Sequence, residues 1–389
     1  MSLSNITLSA SVRQNLLSLQ GTADLLATTQ GRLATGKKVN SALDNPTNFF
    51  TAAGLDSRAS DISNLLDSIG NGVQVLQAAN TGITSLSKLV DTAKSIANQV
   101  LQQPSGYSAK STVTSAAALG GTAANLVDGV TIKSGQTIIV AANGSLPALT
   151  VTIGASESLD QLNTALAAGN LTASLDSANK LVITTTNDYA SSTIGAVTVG
   201  STPGTATFGA AVAPVADAVS QATRASQVGQ YNQIISQITT TAQDASFNGI
   251  NLLNGDSLKL VFNETGKSTS TITGVTFNPT GLGLAALTSG TDFLDNSSTN
   301  SVLAKLNTAS TTLRSQASAF GANLSIVQIR QDFNKNIINV LQTGSSALTL
   351  ADSNEEAANS QALSTRQSIA TSALSLANQA QQNVLQLLR

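Results

Sequence analysis

The sequence predicts a mainly α protein: long coiled-coil-like helical rods formed by both chain ends, a small β-hairpin element, and an inserted β-rich α+β outer domain. Three observations predict it. Near both termini apolar residues recur at alternating steps of three and four, the rhythm of a single helix stripe. The same rhythm runs over longer stretches further inside the 389-residue chain. From about residue 106 to 215 it vanishes, and Thr, Ala, Gly, Ser and Val alternate in short runs instead.

The elements follow in chain order. Leu16, Leu19, Ala23, Leu26, Gln30 and Leu33 share one stripe. The stretch GRLATGKKVNSALDNP then interrupts it: Gly36 is suited to end a helix and Pro46 cannot continue one, so a non-helical connector is expected. Ile62, Leu66, Ile69, Val73 and Leu76, then Ile83, Leu86, Leu89, Ala93, Ile96 and Val100, describe a rod that ends before Pro104. In the insert, VTIKSGQTIIVAA, ALTVTIG and KLVITTTN read as strands, and SESLDQLNTALAAG as one helix capped by Ser158 with Gln161 closing a capping box. Val228, Tyr231, Ile235, Ile238, Ala242 and Ala245 describe a shorter helix with its stop at Asn248-Gly249. LKLVFN and STITGVTFNP alternate like strands, with turns expected at Asn254-Gly255 and Thr265-Gly266.

A third rod carries Leu303, Leu306, Leu313, Ala317, Phe320, Leu324, Val327, Ile338, Leu341 and Leu348 on one heptad register. At a rise of about 1.5 Å per residue it exceeds ~60 Å. The last helix carries Leu363, Gln367, Ala370, Leu374, Ala377, Gln381, Val384 and Leu388, with Ile369, Ala373, Leu376 and Ala380 as a second stripe beside it. The expected division is therefore 1–45 for an inner helix and connector, 46–105 for a rod, 106–215 for the exposed insert, 216–350 for further rods and the hairpin, and 351–389 for the closing helix.

Composition narrows the function. Charged residues make up 10% of the chain and aromatic ones 3%, while 41% are hydrophobic; ordinary domains carry about 25% charge. A net charge of -2 with no basic cluster offers nucleic acid no footprint. The chain has no cysteine and no histidine, so disulfides, thiolate nucleophiles, imidazole bases and the common zinc ligands are excluded together. No cofactor is implied and no enzyme is expected. Gly-Lys-Ser at 266–268 lacks the earlier glycine of a phosphate loop, since that position is Val261, and reads as a hairpin turn. Lys37, Lys38, Asp44, Glu355 and Glu356 are read as solvated surface. The start, MSLSNITLSASVRQNLL, has no secretory signal pattern, and no eighteen consecutive apolar residues occur, so membrane insertion is not expected.

The chain ends carry almost no charge. Residues 1–30 hold only Arg13 and Asp24, and residues 361–389 only Arg366 and Arg389. Ser, Thr, Asn and Gln occupy the faces that a solvated helix fills with Glu, Lys and Arg. Such faces can be buried against another chain without the desolvation cost of ions. Alone, with modest helix propensity and no partner, they scarcely offset the ordering entropy, and they are expected to fold on assembly.

RLATGKKVNSALDNP resembles the amino-terminal signature of bacterial flagellins, matched here by Arg32, Leu33, Gly36, Asn40, Ser41, Ala42, Asp44 and Pro46. SIATSALSLANQAQQNVLQLLR is similar to the family's carboxyl-terminal ending, and QYNQIISQITTTAQDASFNGINLLNG to its middle core helix and following loop. The resemblance covers about residues 1–105 and 220–389. It implies a flagellar filament subunit, exported through the flagellar type III route to the extracellular filament, with terminal helices lining an inner tube and the longer rods an outer one. It implies partners as well: the chain itself and other flagellins, an export chaperone on the carboxyl-terminal helix, a filament cap and the hook-filament junction proteins. Carried over residue by residue, the connector contacts between subunits fall on Arg32, Asn40, Asp44 and Pro46. Packing of the terminal helices falls on Leu16, Leu19, Leu26, Leu33, Leu363, Leu374, Leu376, Val384 and Leu388.

Three departures accompany the resemblance. Asn45 replaces the second Asp of the family's Asp-Asp-Pro, and Asn48-Phe49-Phe50 replaces small residues. The insert follows the first rod, whereas the family more often places it before the last. LSKLVDT at 86–92 departs from the family's segment for the innate immune receptor of flagellin, with Val90 and Thr92 at two expected Arg and Leu positions, so weak activation is expected. A hook-filament junction protein and a secreted adhesive or glycan-binding surface protein are the alternative readings.

Overall fold

The computed structural model describes residues 10–200 and 207–387. In chain order the elements are α1 (Ala10–Thr35), α2 (Pro46–Gln102), β1 (Tyr107–Ala109), β2 (Thr112–Thr114), β3 (Thr137–Val140), β4 (Leu149–Thr152), α3 (Leu159–Leu166), β5 (Leu171–Leu175), β6 (Leu181–Thr185), β7 (Val197–Gly200), β8 (Val215–Ala216), α4 (Ala218–Asp244), β9 (Ser257–Val261), β10 (Thr269–Thr273), α5 (Asn296–Thr349) and α6 (Ser353–Leu387). The chain divides into two compact units: Met1–Asn71, Leu260–Ser270 and Ile326–Arg389 form one, and Gly72–Lys259 with Thr271–Ser325 the other. No helix among the described residues is long and apolar enough to cross a membrane.

In the first unit, α1 ends where Gly36 adopts φ +69, a left-handed conformation that glycine reaches without the Cβ penalty. The chain re-enters helix at Pro46, whose fixed φ suits a first helical position. Asn45 caps it by accepting from Asn48 N at 3.0 Å. Ala59 and Ile62 of α2 are buried with Leu341 of α5, backed by Leu55, Ile337 and Ile338. The hairpin tip locks onto the same helices. Asn334, on the α5 heptad register, donates to the Phe262 carbonyl at 3.0 Å, and Arg58 reaches Glu264 at 2.7 Å.

In the second unit most heptad positions read from the sequence are buried, among them Leu76, Ile83 and Leu86 on α2, Tyr231, Ile235 and Ile238 on α4, and Leu306, Leu313 and Phe320 on α5, whereas Leu89, Ala245, Leu303, Ala317 and Leu324 are half-buried. α4 stops at Asp244, ahead of the expected Asn248-Gly249. The reason is local, because the Asn251 amide donates to the Ala242 and Gln243 carbonyls at 2.8 and 2.9 Å and closes the helix end early. Asn248 and Gly249, both at positive φ, form the turn that follows.

The insert belongs to this unit. Two three-stranded antiparallel sheets, β2-β6-β5 and β4-β3-β7, share a core of buried Leu, Ile and Val with Leu162 and Leu166 of α3. α3 carries the expected capping box: Ser158 Oγ accepts from Gln161 N at 3.2 Å and Gln161 Oε1 from Ser158 N at 2.8 Å. β1 and β8 pair antiparallel, Tyr107 opposite Ala216, so the chain enters and leaves the insert side by side.

Candidate assembly surfaces

α1 and α6 run antiparallel within the first unit. Arg32, in the last turn of α1, meets Glu356, in the first turn of α6, at 3.2 Å, and Leu25 and Thr29 line a groove of about 420 Å³ with Asn359, Leu363 and Arg366. Val12, Thr22 and Thr29 are the buried positions of α1, with Leu19 and Leu26 half-buried between them. Leu16 and Leu33 remain 37% and 43% exposed. The contact stripe thus contains threonines that an apolar count passes over. Thr22 is tolerated there because its hydroxyl donates to the Ser18 carbonyl at 2.8 Å.

Among the described side chains of α6 the half-buried positions are Ser360, Leu363, Gln367, Ala370, Leu374 and Ala377. The second stripe lies open: Ile369 is 64% and Leu376 69% exposed, with Ala373 also exposed. Of Val384 the structure describes only the backbone, and Leu388 lies outside the described residues. Between the open apolar residues, the hydroxyls of Thr365, Ser368, Thr371 and Ser372 donate to carbonyls of their own helix. Such a face presents methyl groups and methylenes with its donors already engaged, so covering it with another helix costs little desolvation. A further open stripe lies on α5, where Ile326, Ile329, Phe333 and Val340 are all more than half exposed.

The connector between α1 and α2 is held by main chain and by one carboxylate. Lys38 N donates to the Thr349 carbonyl at 2.8 Å and Ala351 N to the Gly36 carbonyl at 3.0 Å, tying the connector to the junction of α5 and α6. Asp44 accepts from Ser41 N at 2.8 Å, Asn40 N at 2.9 Å and Ser41 Oγ at 3.2 Å. These bonds, those from Ser41 N and Asn40 N foremost, hold its carboxyl below the usual carboxylate range. The Asn40 amide donates to the Lys37 carbonyl at 3.0 Å. Asn40, Asp44 and Pro46 are exposed, as are Leu43 and Phe50, whereas Arg32 is half-buried with its Nε donor unbonded. Glu356, read from the sequence as solvated surface, is instead buried at 8% exposure against Arg32, a partner that sequence reasoning had no means to find because the pair forms only when the two chain ends meet.

Antiparallel end helices, a connector pinned to the base of the last helix, and apolar stripes left open define a class: a helical building block with faces for further helices. Residues 5–119 match the model of the bacterial flagellin N-terminal helical region and residues 303–388 that of the C-terminal helical region. The chain is 31% identical over 161 residues to Flagellin FljM of Caulobacter vibrioides, a match covering 41% of this chain and 58% of that protein. It is 29% identical over 161 residues to Flagellin FljO of the same bacterium, with the same coverage, and 36% identical over 90 residues to Flagellin A of Rhizobium meliloti, 23% of each chain. The chain belongs to the bacterial flagellin family, and it spans little more than half the length of the Caulobacter relatives it matches.

Proposed function

We propose that this protein is a structural subunit that polymerises into the bacterial flagellar filament for swimming motility. The observation that carries the reading is the open stripe of α6, where Ile369 and Leu376 lie beside hydroxyls satisfied by their own helix. That helix already uses its other face on α1. A second subunit supplies the missing cover, and apolar burial, at roughly 25 cal/mol per Å², drives the contact. Family membership and the named relatives support the same reading.

In this proposal residues 1–45 and 351–389 form the inner layer, 46–105 and 216–350 the outer rods and hairpin, and 106–215 project outward. Arg32, Asn40, Asp44 and Pro46 serve contacts between subunits at the connector. An export chaperone covers the carboxyl-terminal helix before secretion, a cap guides addition outside the cell, and junction proteins join the filament to its hook. The polymer accepts other flagellins.

Polymerisation of the purified, depolymerised chain, beside a variant ending at Ala351, tests the proposal by sedimentation, electron microscopy and far-ultraviolet circular dichroism. The intact chain is expected to gain helix while forming tubular filaments, and the shortened chain to stay monomeric. Equal helicity in two monomers, with filament seeds present, would defeat it.

A further inference from the structure

Where the insert meets the first turns of α5 lies an open groove of about 390 Å³. The insert contributes Asn170, Asp188 and Tyr189 to its lining, and α5 contributes Ser297, Asn300 and Ser301. Among the described residues, nothing engages the Asp188 carboxylate or the side-chain amides of Asn170 and Asn300. The walls are nevertheless fixed. Asp295 caps α5 by accepting from Ser298 N at 2.9 Å, while its other oxygen accepts from the hydroxyl of Ser191 in the insert. On the opposite wall Thr186 N donates to the Asn170 carbonyl at 2.9 Å.

We propose that this groove binds a neutral hexopyranose. The residue types match the two surfaces of such a sugar. A carboxylate and two side-chain amides, each offering adjacent acceptors or an acceptor beside a donor, suit vicinal hydroxyls, and serine hydroxyls add further donors. Tyr189, half-buried against the insert's core, brings aromatic carbon to the groove wall beside these polar groups. The charge of the lining selects the class. Asp188 stands without any Lys or Arg among the lining residues, so uronic acids, sialic acids and sugar phosphates meet an unscreened negative group.

Saturation-transfer difference NMR on the intact monomeric protein tests this, with methyl glucopyranoside, methyl galactopyranoside and methyl mannopyranoside as neutral probes and N-acetylneuraminic acid as the anionic one. At least one neutral probe is expected to receive magnetisation, and the anionic probe none. Asp188→Asn removes the carboxylate at nearly constant shape and is expected to weaken the response about ten-fold. Ser301→Arg fills the groove from an exposed helix position and is expected to abolish it, with the insert's circular dichroism unchanged. Silence from all three neutral probes would overturn the assignment, as would a response that survives Ser301→Arg. For the responding sugar, a matching disaccharide that binds equally well places the ligand at the end of a glycan; binding of the methyl glycoside alone places it as a free monosaccharide.

Discussion

Arg224 Nη1 donates to the carbonyl oxygen of Phe293 at 2.7 Å, in a site where the arginine is 1% exposed. No carboxylate makes that bond. The same guanidinium reaches the carbonyls of Pro104, Val100 and Gln103 at 2.9, 3.2 and 3.2 Å, so one side chain on α4 satisfies the frayed end of α2 and the approach to α5. Burial lowers its pKa and the charge of Asp295 acts against that.

Arg224→Met keeps the volume and removes every donor. Buried carbonyls are left without partners, and the expected loss is about 3 kcal/mol. Arg224→Lys recovers little of it, because one ammonium cannot span four carbonyls. Urea denaturation followed by the tyrosine signal measures both variants; stabilities within about 0.5 kcal/mol of the parent would contradict this role.

Asp128 organises the loop before β3 by accepting from Gly120 N at 2.7 Å, Val130 N at 2.8 Å, Thr131 N at 2.7 Å and Ile132 N at 2.9 Å. Desolvation pushes its carboxyl up, and the four bonds together override it, bringing the pKa down to about 2. The stabilisation is present above the unfolded value near 4 and is lost as pH falls toward 2. Discounted for solvent around a partly exposed group, it amounts to about 1 kcal/mol. Thermal melts between pH 5 and pH 2 should show a drop in the parent that is missing from Asp128→Asn, whose stability is already lower at pH 5.

Asp44 holds the connector in the same way, at the surface. Its carboxyl is held below the usual range, so the stabilisation that its bonds give the connector is present above the unfolded value of about 4 and is lost as pH falls further and the carboxylate is protonated. In Asp44→Asn, amide exchange at Asn40 and Ser41 is expected to quicken about ten-fold at pH 7. Hydrogen exchange read by NMR decides it, and unchanged protection at both amides would show that the carboxylate is dispensable.

Leu376→Glu and Ile369→Glu place a charge on the open stripe of α6. Because these positions are exposed, the monomer should keep its stability within about 0.5 kcal/mol. In the proposed polymer the stripe is covered and the charge is buried, so the critical concentration is expected to rise at least about ten-fold. Sedimentation across a concentration series separates the two effects. Filaments forming at the parental concentration would mean that this stripe faces solvent in the assembly.

How much of this was legible depended on whether the signal was local. The α5 register is visible because Leu306, Leu313, Phe320, Val327 and Leu341 are all large and apolar. Asn334 occupies the same register and is buried, yet only its bond to Phe262 explains that. On α1, counting leucines favours Leu16 and Leu33, while the positions facing α6 include Thr22 and Thr29 with hydroxyls that need no external partner or are sheltered in the helix pair. β1, β2, β5, β7 and β8 escaped notice; length does not explain it for β5 and β7, which are at least as long as the recognised β3 and β4. Arg224 left no trace in sequence at all, since backbone carbonyls have no residue type.

The pairing of Tyr107 with Ala216 also has a mechanical side. Asp217 N donates to the Gly106 carbonyl at 2.9 Å and Gly106 N to the Leu294 carbonyl at 3.4 Å, so the chain is stitched across the neck of the insert. The insert is therefore wired in parallel with the rods and not in series. A pull that separates the end of α2 from the start of α4 meets these bonds at the neck before it reaches the sheets beyond.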